Sequence, residues 1–215
     1  MPRPENHRQP FGKNGNPKGE RDMKKHDRDY FRAFVNVTKA ISSTLDLEKV
    51  LNRILANATD ALELKAGIIS LWYKQENRLE IVSHLGVSQE FLDKGPVYAD
   101  KSVPRALTAK APVVIPDIEQ DDQLQYPEAC RKEGIKALLS IPMIFKDEII
   151  GVLRLYDDQV REFTAEDVEF VNALAEQGGI AVKNARYMDQ VKKDHARELD
   201  DLWQWFSDMA HPPRD

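Results

Sequence analysis

The amino-acid sequence predicts an α+β fold, with helices at both ends of the chain and an antiparallel sheet between them. Three observations support this. Apolar residues recur every three or four positions over residues 23–62 and again after residue 164, which is helical periodicity. Between these segments the apolar residues alternate with period two, as in strands. Tight turns or long insertions, rather than regularly spaced crossover helices, separate the strands, which favours antiparallel pairing.

Two helices are predicted at the start of the fold. The first covers residues 23–43, and its apolar stripe includes Tyr30, Phe34 and Ile41. The second begins after Asp46, whose short acidic side chain is a suitable N-cap, and it keeps a broad apolar face to residue 62.

The predicted strands follow in sequence order. Residues 67–73 and 79–85 form a hairpin. A long insertion with a short helix at 103–109 leads to a strand at 113–115, and a second insertion carries an acidic loop and a helix at 126–133. The strongest strand signal comes last, at residues 137–145 and 148–156, which a two-residue turn joins.

The last predicted helix begins near Thr164 and has no proline before residue 209. Asp167 lies three residues after Thr164, which is close to a capping-box pattern. At 1.5 Å per residue the helix would extend roughly 65 Å, further than the sheet can cover. We therefore expect its far end, with Leu199, Leu202 and Phe206, to pack either on its own body or on a second copy.

The two termini are predicted to be disordered. Residues 1–22 contain four prolines and three glycines but only two hydrophobic residues, too few to form a core. Residues 210–215 form a short polar tail. Met23 is a candidate alternative translation start.

Composition and charge exclude several classes of protein. The longest uncharged apolar run, residues 137–145, is far shorter than the ~20 residues that span a bilayer, and the start lacks the apolar segment of a secretory signal. We therefore expect a cytoplasmic protein without membrane contact.

Residues 30–215 carry a net charge of −8, which argues against nucleic-acid binding, although residues 1–29 carry +3. A single cysteine, Cys130, excludes an internal disulfide framework.

Five segments in this order resemble the GAF domain, a small-molecule sensor module of phosphodiesterases, phytochromes and bacterial signalling proteins. They are TLDLEKVL at 44–51, AKAPVVIPD at 109–117, EGIKALLSIPM at 133–143, GVLRL at 151–155 and FTAED at 163–167. The resemblance implies a six-stranded antiparallel sheet, terminal helices on one face, and a ligand pocket under the long insertions on the other. It places the GAF domain at residues 44–187, followed by a helical extension at 188–209.

The resemblance also implies dimerisation through the terminal helices. The candidate interface residues lie on the first helix and on the helical extension: Tyr30, Phe34, Ile41, Leu199, Leu202 and Phe206. A coiled coil formed by these helices would make the protein a homodimer.

The alternation along the strands predicts which residues face the pocket. One register is apolar throughout and suits the helix-covered face, whereas the other register carries polar groups among aromatic ones. Arg154 is the most informative of these, because an arginine in a central strand must meet a carboxylate, a phosphate or water. Three environments for Arg154 are open at this point: an internal salt bridge to Asp117 or the acidic loop, partial exposure to water, and an anionic ligand. The candidate ligand-binding residues are Ser70, Trp72, His84, Asp117, Ser140, Arg154 and Tyr156.

No catalytic, metal or cofactor site is predicted. Free-methionine-sulfoxide reductases with a GAF-like fold need several cysteines, and Cys130 alone cannot form their disulfide. A covalently bound bilin is disfavoured because Cys130 lies in a predicted helix as a small hydrophobic residue. Cyclic-nucleotide-binding GAF domains carry Asn-Lys where this chain has Tyr156-Asp157. His84 and His195 have no clustered second histidine, as a metal site would need.

The sequence therefore predicts a non-catalytic sensing module. It would bind an unidentified small molecule and signal in trans to a partner such as a histidine kinase or a cyclase. The alternative is a ligand-free scaffold in which the same fold serves only dimerisation and docking.

Overall fold

The structure is a computed structural model that describes residues 17–44, 46–95, 97–98 and 104–210. Most of the predicted N-terminal arm (residues 1–16 of 1–22) and most of the predicted tail (residues 211–215 of 210–215) lie outside this range. The order of helices and strands is α1 (Pro17–Ser43), α2 (Leu47–Ala61), β1 (Ala66–Tyr73), β2 (Arg78–Leu85), α3 (Gln89–Leu92), β3 (Val97–Tyr98), α4 (Pro104–Ala109), β4 (Val113–Ile115), α5 (Pro127–Glu133), β5 (Ala137–Phe145), β6 (Glu148–Asp157) and α6 (Ala165–Ala210).

One antiparallel sheet runs through the described residues, in the order β3-β2-β1-β6-β5-β4. Five strands have three or more residues, and β3 adds a two-residue pairing at the edge of β2. The central strands β1 and β6 pair from Ala66 opposite Tyr156 to Leu71 opposite Gly151. A bulge between Ile69 and Ser70 shifts the register of β1 on β2.

Helices α2 and α6 cover one face of the sheet, and α1 packs against both of these helices. The apolar register of the strands lies against them, as predicted, because that register and the apolar faces of the helices are buried together. The main core includes Val37, Leu51, Ile54, Leu55, Ile69, Leu71, Leu139, Ile141, Met143, Leu153, Leu155, Val171 and Leu174. Asp46 caps α2 as expected, accepting a hydrogen bond from the backbone N–H of Lys49 at 3.2 Å.

The start of α6 is fixed by a reciprocal cap and by α1. The backbone N–H of Asp167 donates to Thr164 Oγ1 at 3.1 Å, and the carboxylate of Asp167 accepts from the backbone N–H of Thr164 at 2.9 Å. The hydroxyl of Tyr30 also donates to Asp167, and its ring stacks on Phe170 at a centroid distance of 4.2 Å. Burial, followed by the hydrogen bond to Asp167, raises the pKa of Tyr30 well above its ordinary value.

The structure corrects one prediction about α1. The helix begins at Pro17, not at residue 23, because proline is favoured at a first helical position and most of the next residues are strong helix formers. Tyr30 and Ile41, predicted at the dimer interface, pack against the chain's own core. Phe34 stays 36% exposed and Phe31 is 71% exposed.

Helix α6 continues far past the body of the protein. Of its residues beyond Ala185, all those whose side chains the structure describes are exposed, including Leu199, Leu202 and Phe206 at 44–50%. This segment therefore does not pack back on its own body. In the described part of the chain, no helix combines the length and the apolar character needed to cross a membrane.

Candidate ligand-binding site

The short helices and loops of the two insertions lie over the second face of the sheet. Two small apolar clusters join them to the strands. One brings Phe91 of α3 and Cys130 of α5 against Tyr156 of β6. The other brings Leu107 of α4 against Val152 of β6 and Trp72 of β1. The two insertions therefore cover the face of the sheet on which the sequence predicted the pocket.

Arg154 lies at the centre of this second face. In the sheet it stands opposite Ser140 of β5 on one side and Ile68 of β1 on the other. Its Nε atom and the Oγ atom of Ser140 are both buried and have no hydrogen-bond partner. No salt bridge joins Arg154 to another described residue, and the acidic-loop residue Asp121 pairs with Arg105 at 2.6 Å. A buried donor without an acceptor is costly, so this row of the sheet has unmet hydrogen-bonding capacity.

Two small cavities flank the Arg154 side chain. They hold about 290 Å³ and 250 Å³ of empty space, counting the parts open to solvent. Ser140 lines the first cavity, and Ser70 and Tyr156 line the second. Neither cavity leaves enclosed space for more than about one water molecule, so a small ligand would bind beside Arg154 only if the surrounding side chains or insertions moved.

Lys94 brings a second cation to this site. It follows α3 and lines the same cavity as Arg154. Its Nζ donates to the carbonyl oxygen of Phe91 at 2.8 Å and lies 3.9 Å from the centroid of the Phe91 ring. Burial, followed by the charge of Arg154, lowers the pKa of Lys94 from 10.5 to about 8.

Two further titratable groups are buried beside these cations. Burial raises the pKa of the Tyr156 phenol and of the Cys130 thiol, so both are neutral at physiological pH. The positive charge of Arg154 lowers the pKa of both groups, but by less than burial raises it. The site therefore combines two cationic side chains with neutral hydroxyl groups.

Four of the seven predicted site residues meet around these cavities: Ser70, Ser140, Arg154 and Tyr156. The other three lie elsewhere. Trp72 packs in the apolar cluster with Leu79 and Leu107.

His84 and Asp117 do not contribute to the cavities. His84 stands in the same row of the sheet as Arg154 but is exposed, because β2 lies nearer the sheet edge. Asp117 caps the short turn Ile118–Gln120, accepting from the backbone N–H of Glu119 at 3.0 Å, so it is not the counter-charge of Arg154.

Sequence reasoning missed Lys94. It lies in an insertion without helical or strand periodicity, and its neighbours in space come from distant segments. The one available signal is the Ser88 N-cap before Phe91, which predicts a helical turn ahead of Lys94. Among the described residues, no group of three or more His, Cys, Asp and Glu side chains is placed to hold a metal ion.

This architecture is that of a GAF domain, and comparison with known proteins identifies the chain as one. A sequence model of the GAF domain matches residues 44–183. The chain therefore belongs to the GAF domain family, which confirms the resemblance seen in its motifs.

The similar proteins include sensors and regulators. The chain is 26% identical over 186 residues to the formate hydrogenlyase transcriptional activator of Escherichia coli strain K12, covering 81% of this chain and 26% of that protein. It is also 26% identical over 172 residues to an uncharacterized sensor-like histidine kinase of Chloroflexus aurantiacus, covering 80% of this chain and 28% of the kinase. The chain thus spans little more than a quarter of the length of these relatives.

A solved structure agrees on the fold. The GAF domain from a phosphoenolpyruvate-protein phosphotransferase of Coxiella burnetii superposes with a TM-score of 0.68 at 16% identity, covering 76% of this chain and 98% of that domain. The protein is therefore a GAF domain related to those of signal-sensing and regulatory proteins.

Proposed function

We propose that this protein is a non-catalytic sensor module that binds a small anionic molecule beside Arg154. The observation that carries this proposal is the unpartnered Arg154 Nε, next to the unpartnered Ser140 Oγ and in a cavity shared with Lys94. A bound anion would supply the acceptor that the described residues do not.

The chemistry of the lining favours a carboxylate or a similar oxyanion. Arg154 donates in the planar geometry that matches such groups, and Lys94 adds a compact positive charge. The hydroxyl groups of Ser70 and Ser140 can donate to the same oxygens. Because the buried Nε of Arg154 has no acceptor, an anion bound there would stabilise the folded protein.

The family relationships support a role in signalling. The relatives are named as a transcriptional activator and as a sensor-like histidine kinase. By analogy, a ligand-dependent change in this domain would pass to a cytoplasmic partner in trans, such as a histidine kinase or a cyclase. A sulfoxide-reducing activity is disfavoured because Cys130 has no second cysteine with which to form a disulfide.

We propose that the extension of α6 joins two copies. Its exposed apolar side chains form what we call the α6 stripe: Met188, Val191, Leu199, Leu202, Phe206 and Met209. Trp203 and Trp205 are also exposed beside it. Such a surface favours self-association, because a free chain would expose a large apolar area to water.

A ligand-free scaffold is the second candidate function. The small volume of the two cavities favours it, since the Arg154 side chain lies between them. In that case the fold would serve only dimerisation and docking, and the pocket would not respond to small molecules.

The anion proposal is tested by thermal unfolding of the wild type with acetate, pyruvate, succinate and inorganic phosphate. A ligand present at 100 times its dissociation constant adds about 2.7 kcal/mol of stability. For a protein of this size we expect at least one anion to raise the melting temperature by about 5–10 °C. The Arg154→Gln variant should lose that response.

Arg131→Gln is the matched control. Arg131 is an arginine on the surface, paired with Glu119 and Glu128, and it lines neither of the two cavities. The melting temperature of the Arg131→Gln variant should rise with the anion as that of the wild type does. Equal responses in Arg154→Gln and the wild type would place the anion elsewhere, and no response to any anion would favour the scaffold.

A further inference from the structure

An open apolar groove lies where α6 leaves the body of the protein. The end of α1, the start of α2 and the middle of α6 bound it, and it holds about 650 Å³ of empty space, counting the parts open to solvent. Its apolar lining residues are Ile41, Leu47, Val50, Ala181, Ala185 and Met188. Unlike the cavities beside Arg154, this groove leaves room for several water molecules, so it is large enough to accept side chains from another chain.

The α6 wall of this groove continues directly into the α6 stripe. Alternating spacings of four and three residues, the heptad spacing of a coiled coil, lead from the groove towards the far end of the helix. The positions on this line, which we call the α6 seam, are Ala181, Ala185, Met188, Lys192, His195, Leu199, Leu202 and Phe206. The first four of them line the groove. A second helix that covers the α6 stripe therefore also passes over the groove.

The α6 seam has small residues at one end and large residues at the other. Ala181 and Ala185 lie at the groove, whereas Leu202 and Phe206 lie at the exposed end. In a parallel pair of helices alanine would face alanine, and the groove would stay unfilled. In an antiparallel pair the large end of each seam faces the small end of the other, which packs better. Side-chain size therefore favours antiparallel pairing.

The charges of α6 are segregated along the same direction. Residues 183–193 carry four basic side chains and one acidic side chain, a net charge of +3. Residues 194–207 carry one basic and four acidic side chains, a net charge of −3 with histidine neutral. A parallel pair would bring like charges together, whereas an antiparallel pair places the basic half of each helix beside the acidic half of the other. Charge therefore favours the same orientation as side-chain size.

We propose that two copies pair through antiparallel α6 helices and that the large end of each α6 seam fills the groove of its partner. A two-fold axis that passes between Lys193 and Asp194 matches the two seams along their whole length. The layers formed are Phe206 on Ala181 of the partner subunit, Leu202 on the partner's Ala185, Leu199 on the partner's Met188, and Lys192 on the partner's His195. The first three layers each place a large apolar side chain over a residue that lines the groove.

The polar layer of Lys192 and His195 sets the register of the pair. If the helices were shifted by one heptad, both residues would face apolar side chains, which is costly for polar groups at a seam position. The same axis divides α6 at the point where its net charge changes sign. This inference rests on the proposed association through α6, and it adds the orientation of the helices and the surface that each copy fills.

Disulfide cross-linking of the full chain tests the orientation. Two single variants, Ala185→Cys and Leu202→Cys, are mixed in equal amounts under reducing conditions and then oxidised, and the linked peptides are identified by mass mapping. Antiparallel pairing brings positions 185 and 202 of different copies together, whereas parallel pairing separates them by about 26 Å. We expect the 185–202 link to form at least tenfold faster than the 185–185 or 202–202 link. Met188→Cys mixed with Leu199→Cys provides a second pair with the same expected result.

Arg186→Cys and Asp201→Cys form the matched control pair. The same axis relates these two positions, but they are exposed on the side of α6 away from the α6 stripe, so we expect slow cross-linking. The native Cys130 is buried and is present in every variant. A control pair that links as fast as the test pairs would indicate chance collision and overturn the proposed contact.

The outcomes separate this inference from the dimer on which it rests. Links that form only between like positions would show parallel pairing, which overturns the inference and leaves the dimer intact. A dimer in light scattering that forms no link in either test pair would place the contact away from the α6 seam. A wild-type chain that is monomeric at about 50–100 μM would overturn both the dimer and its orientation.

Discussion

Gly151→Ala is expected to lower the free energy of unfolding by about 3 kcal/mol, which is a fall of about 6–12 °C in melting temperature. A Cβ atom at this position of β6 would lie 2.2 Å from the carbonyl oxygen of Ser70 and 3.1 Å from the Cα atom of Leu71. Both atoms belong to the backbone of β1, the neighbouring central strand. The two strands would have to separate, which would disturb the sheet that carries Arg154.

Gly178→Ala is the matched control for this prediction. Its added Cβ would meet the flexible end of Met143 at 2.7 Å and Ile54 Cδ1 at 3.4 Å. Side chains can move aside more easily than backbone, and alanine is favoured over glycine inside a helix by about 1 kcal/mol. We expect urea unfolding to place this variant within about 1 kcal/mol of the wild type. A Gly151→Ala protein as stable as Gly178→Ala would contradict the tight β1–β6 packing.

Changing Leu199, Leu202 and Phe206 together to glutamate should convert a dimer into a folded monomer. All three side chains are about half exposed in the isolated chain, so the change removes no packing within one copy. Apolar area buried between copies is worth ~25 cal/mol per Å², before the costs of association. Three large side chains from each copy thus contribute several kcal/mol. Size-exclusion chromatography with light scattering should show the mass halved and the melting transition retained.

The control adds the same charge to the same helix. Gln190, Gln204 and Ser207 are exposed polar residues of α6 outside the α6 stripe, and their change to glutamate should leave the dimer intact. If both triple variants are monomeric, charge alone disrupts association and the stripe has no special role. A wild-type protein that is monomeric at about 50–100 μM would end the dimer hypothesis.

The regular elements could be predicted because local signals mark their ends. The bounds of β4 and β5 agree with the sequence prediction to the residue. One proline directly precedes β4, another directly follows it, and a tight turn ends β5. The cap formed by Thr164 and Asp167 likewise marked the start of α6. The insertion that holds α3 and β3 was predicted only in part, because it has no extended periodicity.

The site was predicted less completely because its geometry depends on contacts between distant segments. Period-two alternation correctly placed Ser70, Ser140, Arg154 and Tyr156 on one face. The alternation could not show that the two insertions cover Arg154 but leave His84 exposed. Lys94 enters the site because α3 folds over the sheet, which no local pattern indicates.

Native mass spectrometry of the protein purified from its own host tests most directly whether the domain is a ligand-binding sensor. We predict the mass of a dimer plus one small organic acid per chain, and Arg154→Gln purified in parallel should lack the added mass. Loss of the ligand with the dimer intact would assign the binding to Arg154 and show that association does not depend on the ligand. Wild-type protein that carries the mass of the polypeptide alone, under conditions that preserve the dimer, would contradict the sensor and favour the scaffold.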